Sequence, residues 1–290
     1  MRKILVTGCN GQLGRAINQV YADAVENGEV VLVNTDVGID GVTSLDITDV
    51  DEVERFVEAE KIDVIINCAA FTNVNAAESA WDSAYKVNAI GPRNLAIAST
   101  KYNVKLIHVS TDYVFDGTND KPYTEFDAPA PLGAYGKTKY EGEQFVKQFS
   151  NRFMIIRTAW LYGDGKNFVK TMINAAADRE EVTVVGDQIG SPTSALELAR
   201  CIKALEPTEN FGTFHGTCEG YCSWADFTEE FYRLAGITTK VKHITTDEYP
   251  TPAKRPAYSV LDNYMLRLTG AYTFADWKDA IAEYMKSFND

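Results

Sequence analysis

The sequence predicts an α/β fold built on a doubly wound parallel sheet, and three observations support this prediction. Short apolar runs rich in β-branched residues alternate with helical stretches through the first half of the 290-residue chain. The runs are almost wholly apolar, which is typical of parallel strands covered by helices on both faces. A glycine-rich turn leads from the first run into the first helix. Because crossovers between parallel strands are right-handed, this order of elements gives a doubly wound sheet.

The elements of the first half follow from hydrophobic spacing and from helix-capping residues. Thr48 is the expected N-cap of one helix, whose first turn carries acidic residues that favour a helix N-terminus. The predicted strands are Lys3–Thr7, Val30–Thr35, Asp63–Cys68 and Val104–Ser110; the predicted helices are Gln12 to about Ala24, Asp49–Glu60 and a long stretch of about Glu78–Tyr102.

The pattern becomes looser after about residue 160, and we expect a second, smaller α/β part there. Residues 1–160 would form the sheet domain, with additional segments that return to it from residues 161–290. No linker is visible between the two parts, so they should pack intimately. The predicted helices of the second half are Phe168–Ala177, Ser194 to about Leu205, one capped by Ser223, and Thr273–Ser287; the predicted strands are Val182–Val185 and Phe211–His215.

Composition and charge argue against several classes of protein. The formal net charge is -13 and no compact Lys/Arg cluster is present, which disfavours nucleic acid as a partner. No apolar run approaches the roughly 20 residues that span a bilayer, and the N-terminus has no signal-peptide pattern. We therefore expect a cytoplasmic protein with no membrane partner. The five cysteines are scattered, and we expect reduced thiols with no metal-binding or redox role.

The first predicted strand ends in the turn Gly8-Cys9-Asn10-Gly11-Gln12-Leu13-Gly14. Its spacing, G-x-x-G-x-x-G, is a variant of the G-x-G-x-x-G fingerprint of Rossmann-like sheets that bind dinucleotides. Glycines let the backbone approach a diphosphate, and a helix N-terminus supplies free N–H groups and a partial positive charge. Because a strand precedes this turn and a helix follows it, the sequence predicts a Rossmann-like site for NADH or NADPH.

Two charged residues near this turn give opposite indications about the cofactor. Asp36 follows the second strand, where a carboxylate accepts hydrogen bonds from the adenosine ribose of NAD. Arg15 directly follows the last glycine, where a guanidinium would meet the 2′-phosphate of NADP. The sequence therefore leaves the choice between NADH and NADPH open. Asp46 and Ile47 either flank the adenine or form an exposed loop before a helix.

A tyrosine and a lysine four residues apart predict the catalytic centre. Tyr135 and Lys139 form the pattern Y-x-x-x-K and share one face of a helix. A nearby lysine ammonium should lower the tyrosine pKa from about 10, so that the phenol exchanges a proton with a carbonyl oxygen. Thr111 lies at the end of the fourth strand, where its hydroxyl would hold that carbonyl. Asn88 either supports a proton relay or packs its helix.

Several further segments resemble those of the extended short-chain dehydrogenases/reductases and, within them, of the dTDP-4-dehydrorhamnose reductases. With the glycine turn they span most of the chain, and several are specific to this family. Two positions depart from its pattern: alanine is common where Cys68 stands, and histidine or tyrosine is common at Phe71. The segments are Asn67–Ala70, Ala69–Glu78, Ser110–Gly117, Tyr135–Lys139, Arg157–Tyr162, Asn167-Phe168, Asp187–Thr193 and Arg255-Pro256.

The resemblance implies the NAD(P)H-dependent reduction of the C4 ketone of a dTDP-4-keto-6-deoxysugar, with dTDP-L-rhamnose as the expected product. Thr111, Tyr135 and Lys139 would be catalytic. Thr111 and Asp112 would bind the nucleotide-sugar together with Trp160, whose alternative role is core packing. The residues implied for the cofactor are Gly8, Gly11, Gln12, Leu13, Gly14, Asp36, Asp46, Ile47, Ala70, Phe71, Thr72, Tyr135 and Lys139.

The same resemblance implies that residues 161–290 mainly bind the substrate. Relatives include dimers, some of them bridged by magnesium, so a homodimer and Mg2+ follow from the resemblance alone. The spacing of acidic residues, histidines and cysteines places no metal ion.

Three other functions are compatible with a fold of this kind. Related dehydratases carry an Asp-Glu pair directly after the threonine, whereas this chain has Asp112-Tyr113, which counts against dehydration. A sugar-nucleotide epimerase needs the same tyrosine and lysine, so epimerisation stays open. A non-catalytic regulatory subunit, which would use the fold to bind a partner with the cofactor as ligand, also stays open because fold alone does not determine function.

Overall fold

The structure, a computed structural model, describes residues 1–288 and is built on a six-stranded parallel sheet with helices on both faces. Its strands are β1 (Arg2–Thr7), β2 (Val30–Thr35), β3 (Val64–Asn67), β4 (Lys105–Thr111), β5 (Phe153–Thr158), β6 (Leu161–Tyr162), β7 (Glu181–Val185), β8 (Ile189–Gly190), β9 (Thr193–Ser194), β10 (Gly212–His215), β11 (Cys222–Ser223) and β12 (Lys240–Ile244).

Its α-helices are α1 (Gln12–Glu26), α2 (Val50–Glu60), α3 (Val74–Ala77), α4 (Trp81–Tyr85), α5 (Gly91–Lys101), α6 (Ala134–Phe149), α7 (Phe168–Ala176), α8 (Ala195–Leu205), α9 (Trp224–Ala235), α10 (Tyr264–Thr269) and α11 (Trp277–Phe288). A π-helical turn (Lys86–Ile90) joins α4 to α5, and 3-10 turns cover Asp112–Val114 and Thr246–Glu248.

The strand order of the central sheet is β10-β5-β4-β3-β1-β2, and every pairing is parallel. The register aligns Thr7 with both Thr35 and Asn67, and Thr111 with Thr158, so neighbouring strands end at one edge. Strands β2 and β3 lie on opposite sides of β1, which makes the carboxyl end of β1 a topological switch point, where such sheets bind ligands. The predicted doubly wound α/β fold is confirmed.

The core lies on both faces of this sheet. Successive residues of β1 point alternately into two apolar clusters, with Ile4 and Val6 in one and Leu5 in the other. This alternation is why the strands read as continuous apolar runs rather than as alternating polar and apolar residues.

Of the two strands at one side of the sheet, β10 was predicted from the sequence and β5 was not. Strand β5 (Phe153–Thr158) is absent from the sequence predictions, although it is a largely buried strand. Strand β10, predicted as Phe211–His215, pairs with β5 and brings a segment of the second half into the sheet. The boundary near residue 160 stays a prediction.

Two helical predictions of the first half need correction. The N-cap of α2 is Asp49, whose side chain accepts the Glu52 N–H at 3.0 Å, and not Thr48. The long helix predicted over Glu78–Tyr102 begins at Trp81 and is helical without interruption to Lys101, but a π-helical turn separates α4 from α5. Pro92 lies in the first turn of α5 and lacks the N–H that a regular α-helix would use there, which accounts for the wider turn before it.

The second half contains elements that the sequence did not predict. Strand β12 pairs in parallel with β7 in a two-stranded sheet, and α10 is a short additional helix. Helix α11 begins at Trp277, four residues later than the predicted Thr273. The predicted N-cap Ser223 is confirmed by a capping box in which its hydroxyl accepts the Asp226 N–H at 3.0 Å.

Two chemical properties of the described chain bear on the sequence predictions. Within residues 1–288, no helix is long and apolar enough to cross a membrane. The five cysteines, Cys9, Cys68, Cys201, Cys218 and Cys222, are all free thiols, as expected.

Candidate active site

The carboxyl ends of the central strands form the floor of a cleft with a volume of about 810 Å³. Phe71 does not line it, because its side chain packs with Ala77, Ala84 and Ala134, and neither Asn88 nor Arg15 lines it. The predicted residues that line the cleft are Gly8, Gly11, Gln12, Leu13, Gly14, Asp36, Asp46, Ile47, Ala70, Thr72, Thr111, Asp112, Tyr135, Lys139 and Trp160.

The glycine turn is too tightly packed to accept side chains at two of its positions. Gly8 has a φ of 61°, and a Cβ built on it would lie 2.8 Å from the Ala69 backbone. A Cβ on Gly14 would lie 2.5 Å from the Gly8 carbonyl oxygen. Gly11 begins α1 without a side-chain cap, so the first N–H groups of the helix have no side-chain acceptor there. This cradle fits the diphosphate of a dinucleotide.

Asp36 and Arg15 both organise the loop around Asn10. The Asp36 carboxylate accepts the Asn10 N–H at 3.1 Å and the Val37 N–H at 2.9 Å. The Arg15 guanidinium donates to the Asn10 carbonyl at 2.9 Å and to the Asp164 carboxylate at 2.8 Å. Each side chain therefore has partners within the protein, and the choice between NADH and NADPH stays open.

Asp46 and Ile47 form part of the cleft wall. Ile47 is buried: its carbonyl accepts the Asn94 side-chain amide at 3.0 Å, and its side chain lies directly against Gly91. Asp46 is exposed and accepts the Thr48 N–H at 2.9 Å. Ile47 is therefore not part of an exposed loop, whereas the Asp46 carboxylate organises the turn before α2, and a contact of either residue with the adenine stays a prediction.

Asn88 holds the segment that follows β3. Its side chain accepts the Phe71 N–H at 2.8 Å and donates to the Phe71 carbonyl at 3.1 Å and to the Thr138 hydroxyl at 3.2 Å. These contacts tie the Ala70–Thr72 backbone to the π-helical turn and to α6. The structure therefore supports the packing role of Asn88 and gives no evidence for a proton relay through it.

Tyr135 lies in the first turn of α6, with its hydroxyl group beside Thr111. Burial raises the pKa of Tyr135 above its ordinary value, the hydrogen bond with Thr111 lowers it, and the charges of Asp112 and Tyr113 raise it. The predicted lowering of this pKa by Lys139 is therefore wrong for this structure. A tyrosine with a raised pKa keeps its proton at neutral pH but is a weaker acid, so it donates that proton only to an oxygen on which negative charge develops.

Lys139 is 2% exposed and lies one helical turn beyond Tyr135. Its ammonium donates a hydrogen bond to the Val109 carbonyl of β4 at 2.6 Å. Burial lowers the pKa of Lys139 to about 8, while the nearby Glu143 carboxylate raises it. The lysine charge is therefore sensitive to its surroundings near neutral pH.

Asp112 is a buried carboxyl group next to Thr111, which in turn lies beside Tyr135. The Thr111 hydroxyl donates to Asp112 at 3.0 Å and accepts the Tyr113 N–H at 3.1 Å. Burial raises the pKa of Asp112 to about 6, and hydrogen bonds from Ser259 and Thr111 oppose that rise. Asp112 therefore orients the Thr111 hydroxyl beside Tyr135.

Trp160 and Trp224 form the aromatic wall of the cleft. Their rings stack face to face, with centroids 3.6 Å apart and an interplanar angle of 6°. Trp160 has a φ of 49°, an uncommon value for a non-glycine residue, and a Cβ on Gly190 would lie 2.5 Å from its ring. Trp160 thus both packs and faces the cleft. Trp224 was missed, because its only signal was its position after the predicted cap Ser223.

Other cleft residues also escaped the sequence predictions. Arg255 forms a hydrogen bond with Tyr113. Burial raises the pKa of Tyr113 to about 12, and the positive charge of Arg255 opposes this rise. The ring of Tyr113 packs edge-on against Tyr135, with centroids 5.5 Å apart. Lys166, which lies between β6 and α7, is a second basic residue that lines the cleft. Arg255 belongs to a segment that carried the family resemblance, so a signal for it existed, but nothing in its spacing indicated a role.

The sequence profile of the family described as RmlD substrate binding domain matches residues 1–289. The chain belongs to this family. A dTDP-4-dehydrorhamnose reductase from Aggregatibacter actinomycetemcomitans is 38% identical over 97% of this chain and 97% of its own length. These matches confirm the resemblance to the dTDP-4-dehydrorhamnose reductases that the sequence segments indicated.

Two solved structures extend this comparison. A dTDP-4-dehydrorhamnose reductase from Clostridium acetobutylicum has 51% identity and a TM-score of 0.95, and the match covers 99% of this chain and 100% of that one. Another, from Bacillus anthracis, was solved in complex with NADP; it has 40% identity, a TM-score of 0.93 and the same coverage of 99% and 100%. Both solved reductases therefore have closely the same fold as this RmlD-family chain.

A surface group of this RmlD-family chain brings three potential metal-ligand atoms within 4.8 Å of one another: Asp226, Glu229 and His243. Glu229 and His243 pair directly at 2.9 Å, and Asp226 is engaged in the cap of α9. Strand β12, which the sequence did not predict, brings His243 to this group. We assign no ion to it.

Proposed function

We propose that this RmlD-family protein reduces the C4 ketone of a dTDP-4-keto-6-deoxysugar with NADPH or NADH. The proposed substrate is dTDP-4-dehydro-L-rhamnose and the proposed product is dTDP-L-rhamnose. One observation carries the proposal: Thr111, Tyr135 and Lys139 meet in the same cleft that the glycine turn lines. The names of the similar reductases, and the NADP bound to one of them, support the substrate and cofactor classes.

The cofactor site is built largely from backbone. The α1 N-terminus and the glycine turn would hold the diphosphate, with Ile47 and the Ala70–Thr72 backbone along the rest of the dinucleotide. The reduced nicotinamide supplies the hydride, and the protein supplies its orientation.

The proton comes from this chain's own residues. Tyr135, whose raised pKa keeps it protonated, donates to the C4 oxygen as negative charge develops there. The Thr111 hydroxyl, oriented by Asp112, holds the same oxygen in position. The Lys139 ammonium adds positive charge in a buried site, where an electrostatic contribution is strong.

The nucleotide-sugar would occupy the part of the cleft between these groups and the aromatic wall. Trp160 and Trp224 offer an apolar surface for a sugar or base. Arg255 and Lys166 are cations that line the cleft and suit the diphosphate of the substrate.

A coupled assay tests the proposal. dTDP-4-keto-6-deoxyglucose is supplied with a 3,5-epimerase, and the absorbance of the reduced nicotinamide is followed with NADPH and with NADH in parallel. We expect cofactor oxidation that requires the epimerase, with one product molecule per cofactor consumed. Product analysis by NMR then identifies the configuration at C4.

Two outcomes would favour the other functions. Interconversion of dTDP-sugars without net cofactor consumption would indicate an epimerase. Cofactor binding by calorimetry, with no turnover of any dTDP-4-keto-6-deoxysugar, would favour a non-catalytic regulatory subunit. Either result would overturn the proposed reduction.

Three expectations rest on composition or on the family resemblance and stay predictions: a homodimer, a bound Mg2+ and a cytoplasmic location. Sedimentation equilibrium with and without a chelator tests the first two together, because a metal-bridged dimer would dissociate when the metal is removed.

A further inference from the structure

Helix α6 carries a stripe of four charged or catalytic residues at successive intervals of four: Tyr135, Lys139, Glu143 and Lys147. Such spacing places their side chains on one face of the helix. Glu143 is 0% exposed and lies one turn behind Lys139, outside the residues that line the cleft. A fully buried carboxylate one helical turn from a buried ammonium is uncommon unless it is paired.

Arg157 fixes the position of this carboxylate. Its guanidinium donates to both Glu143 oxygens, at 2.9 Å and 2.7 Å, from the neighbouring strand β5. Arg157 is itself buried and lies 5.2 Å from the centre of the Phe115 ring. A bidentate guanidinium pair stabilises the ionised form of a carboxylate that burial would otherwise neutralise. Lys147 adds a weaker contact from the surface at 3.8 Å.

Within residues 1–288, Glu143 is the one carboxyl group that raises the pKa of Lys139. Two groups favour its charged form, Glu143 and Cys68, but burial raises the pKa of the Cys68 thiol to about 12, so the thiol is neutral. On β4, His108 is also buried, and burial holds its pKa well below its ordinary value, so it carries no charge. The Val109 carbonyl supplies a hydrogen bond but no net charge.

We propose that Glu143, held by Arg157, is a positioning residue that keeps Lys139 protonated in the buried floor of the cleft and thereby sets the upper pH limit of turnover. This inference rests on the proposed function, because that function gives Lys139 its role. Arg157 and Glu143 act through Lys139 and do not touch the substrate.

The variant Glu143→Gln tests this inference, because it preserves shape but removes the charge. In the wild-type protein, kcat should fall as Lys139 loses its proton, with a pKa of about 8. In the variant this fall should begin at lower pH, so that kcat at pH 9 relative to kcat at pH 6 decreases by about tenfold, the equivalent of one pKa unit. Glu143→Asp, which keeps the charge, should restore most of the wild-type ratio.

Lys147→Gln is the matched control, because it removes another charge beside the same carboxylate and leaves the Arg157 pair intact. We expect its ratio of kcat values to match the wild type. If Glu143→Gln leaves Arg157 unpaired and does not fold, the double variant Glu143→Gln/Arg157→Gln should show a smaller decrease in the same ratio, because the two charges that it removes act on Lys139 with opposite sign. An unchanged ratio in a folded variant, or an equal loss at every pH, would overturn the inference.

The NADPH dissociation constant, measured by fluorescence over the same pH range, separates this inference from the proposed function. A wild-type protein that turns over no dTDP-sugar would refute the proposed function. A shift in the pH dependence of NADPH binding in Glu143→Gln would still support the control of Lys139 by Glu143, and the absence of any shift would contradict it.

Discussion

The two walls of the cleft are built in different ways. The glycine wall is a contiguous turn, Gly8–Gly14, whose function depends on backbone geometry and on the absence of side chains. The aromatic wall joins Trp160, after β5, to Trp224, at the start of α9, and depends on two large side chains that meet only in the folded chain. A contiguous backbone motif is visible in sequence, whereas a wall assembled from distant side chains is not.

The difference also shows in how each wall tolerates change. At Gly14 a single added methyl group meets backbone atoms that cannot move independently of β1. On the aromatic wall, Trp224 contacts Trp160 on one side and Phe168 on another, with centroids 4.5 Å apart for the second pair. Side chains can adjust in part, so a substitution there should cost less.

The largest effect is expected on the floor where the two walls meet. Tyr135→Phe should lower kcat by about 10²- to 10⁴-fold, because the proton donor is lost, while NADPH affinity is retained. Stopped-flow measurement of reduced-nicotinamide oxidation gives kcat, and fluorescence titration gives the affinity. Tyr140→Phe, on the same helix, is the control. A near-normal kcat in Tyr135→Phe would remove the assigned proton donor.

The next largest effect is expected at the glycine wall. Gly14→Ala should weaken NADPH binding by about tenfold to a hundredfold, because the new Cβ would displace the Gly8 backbone from the diphosphate site. Gly28→Ala is the control: its φ is 70°, but a Cβ there meets open space far along the chain from the turn. Equal affinity in the two variants would show that the wall is more adaptable than its packing indicates.

The buried Asp112 carboxyl on the floor of the cleft should make the free energy of unfolding depend on pH. Because its folded pKa is raised from 3.8 to about 6, its contribution is fully present below the unfolded value and is lost as the pH rises through 6. The gain in unfolding free energy from Asp112→Asn should therefore grow by up to about 3 kcal/mol between pH 4 and pH 8.

Denaturant unfolding at the two pH values measures this gain. Asp127, whose pKa is lowered by the Thr124 N–H, is the opposite case: its contribution is lost only as the pH falls below its unfolded value of 3.8, so Asp127→Asn should show no comparable gain between pH 4 and pH 8. The same trend with pH in both variants would refute the assigned electrostatics of Asp112.

The smallest effect is expected at the aromatic wall. Trp224→Leu should raise the KM for the nucleotide-sugar by about tenfold and leave NADPH affinity unchanged, since an aromatic pair contributes about 1 kcal/mol beyond its buried area. Trp81→Leu, at an exposed stacked tryptophan, is the matched control. If NADPH affinity fell instead, the two walls would not be separate binding surfaces.

The sequence could predict those cleft residues that lie directly after a strand or together on one helix. The glycine turn follows β1, Thr111 ends β4, and Tyr135 and Lys139 share a face of α6. Their assembly needs only a parallel sheet and one helix. The side chain of Phe71 packs with Ala77, Ala84 and Ala134 instead of lining the cleft, and its assignment to the cofactor stays a prediction.

The sequence by itself determined the doubly wound sheet, the glycine cradle and the Tyr135–Lys139 stripe, because hydrophobic periodicity, missing side chains and helical spacing act over a few neighbouring residues. The tertiary structure alone decided that β10 joins the sheet, that Trp224 completes a wall and that Arg157 holds Glu143 behind Lys139. It also decided that the pKa of Tyr135 is raised rather than lowered. Burial and the charges of distant residues determine a pKa, and both exist only when the chain has folded.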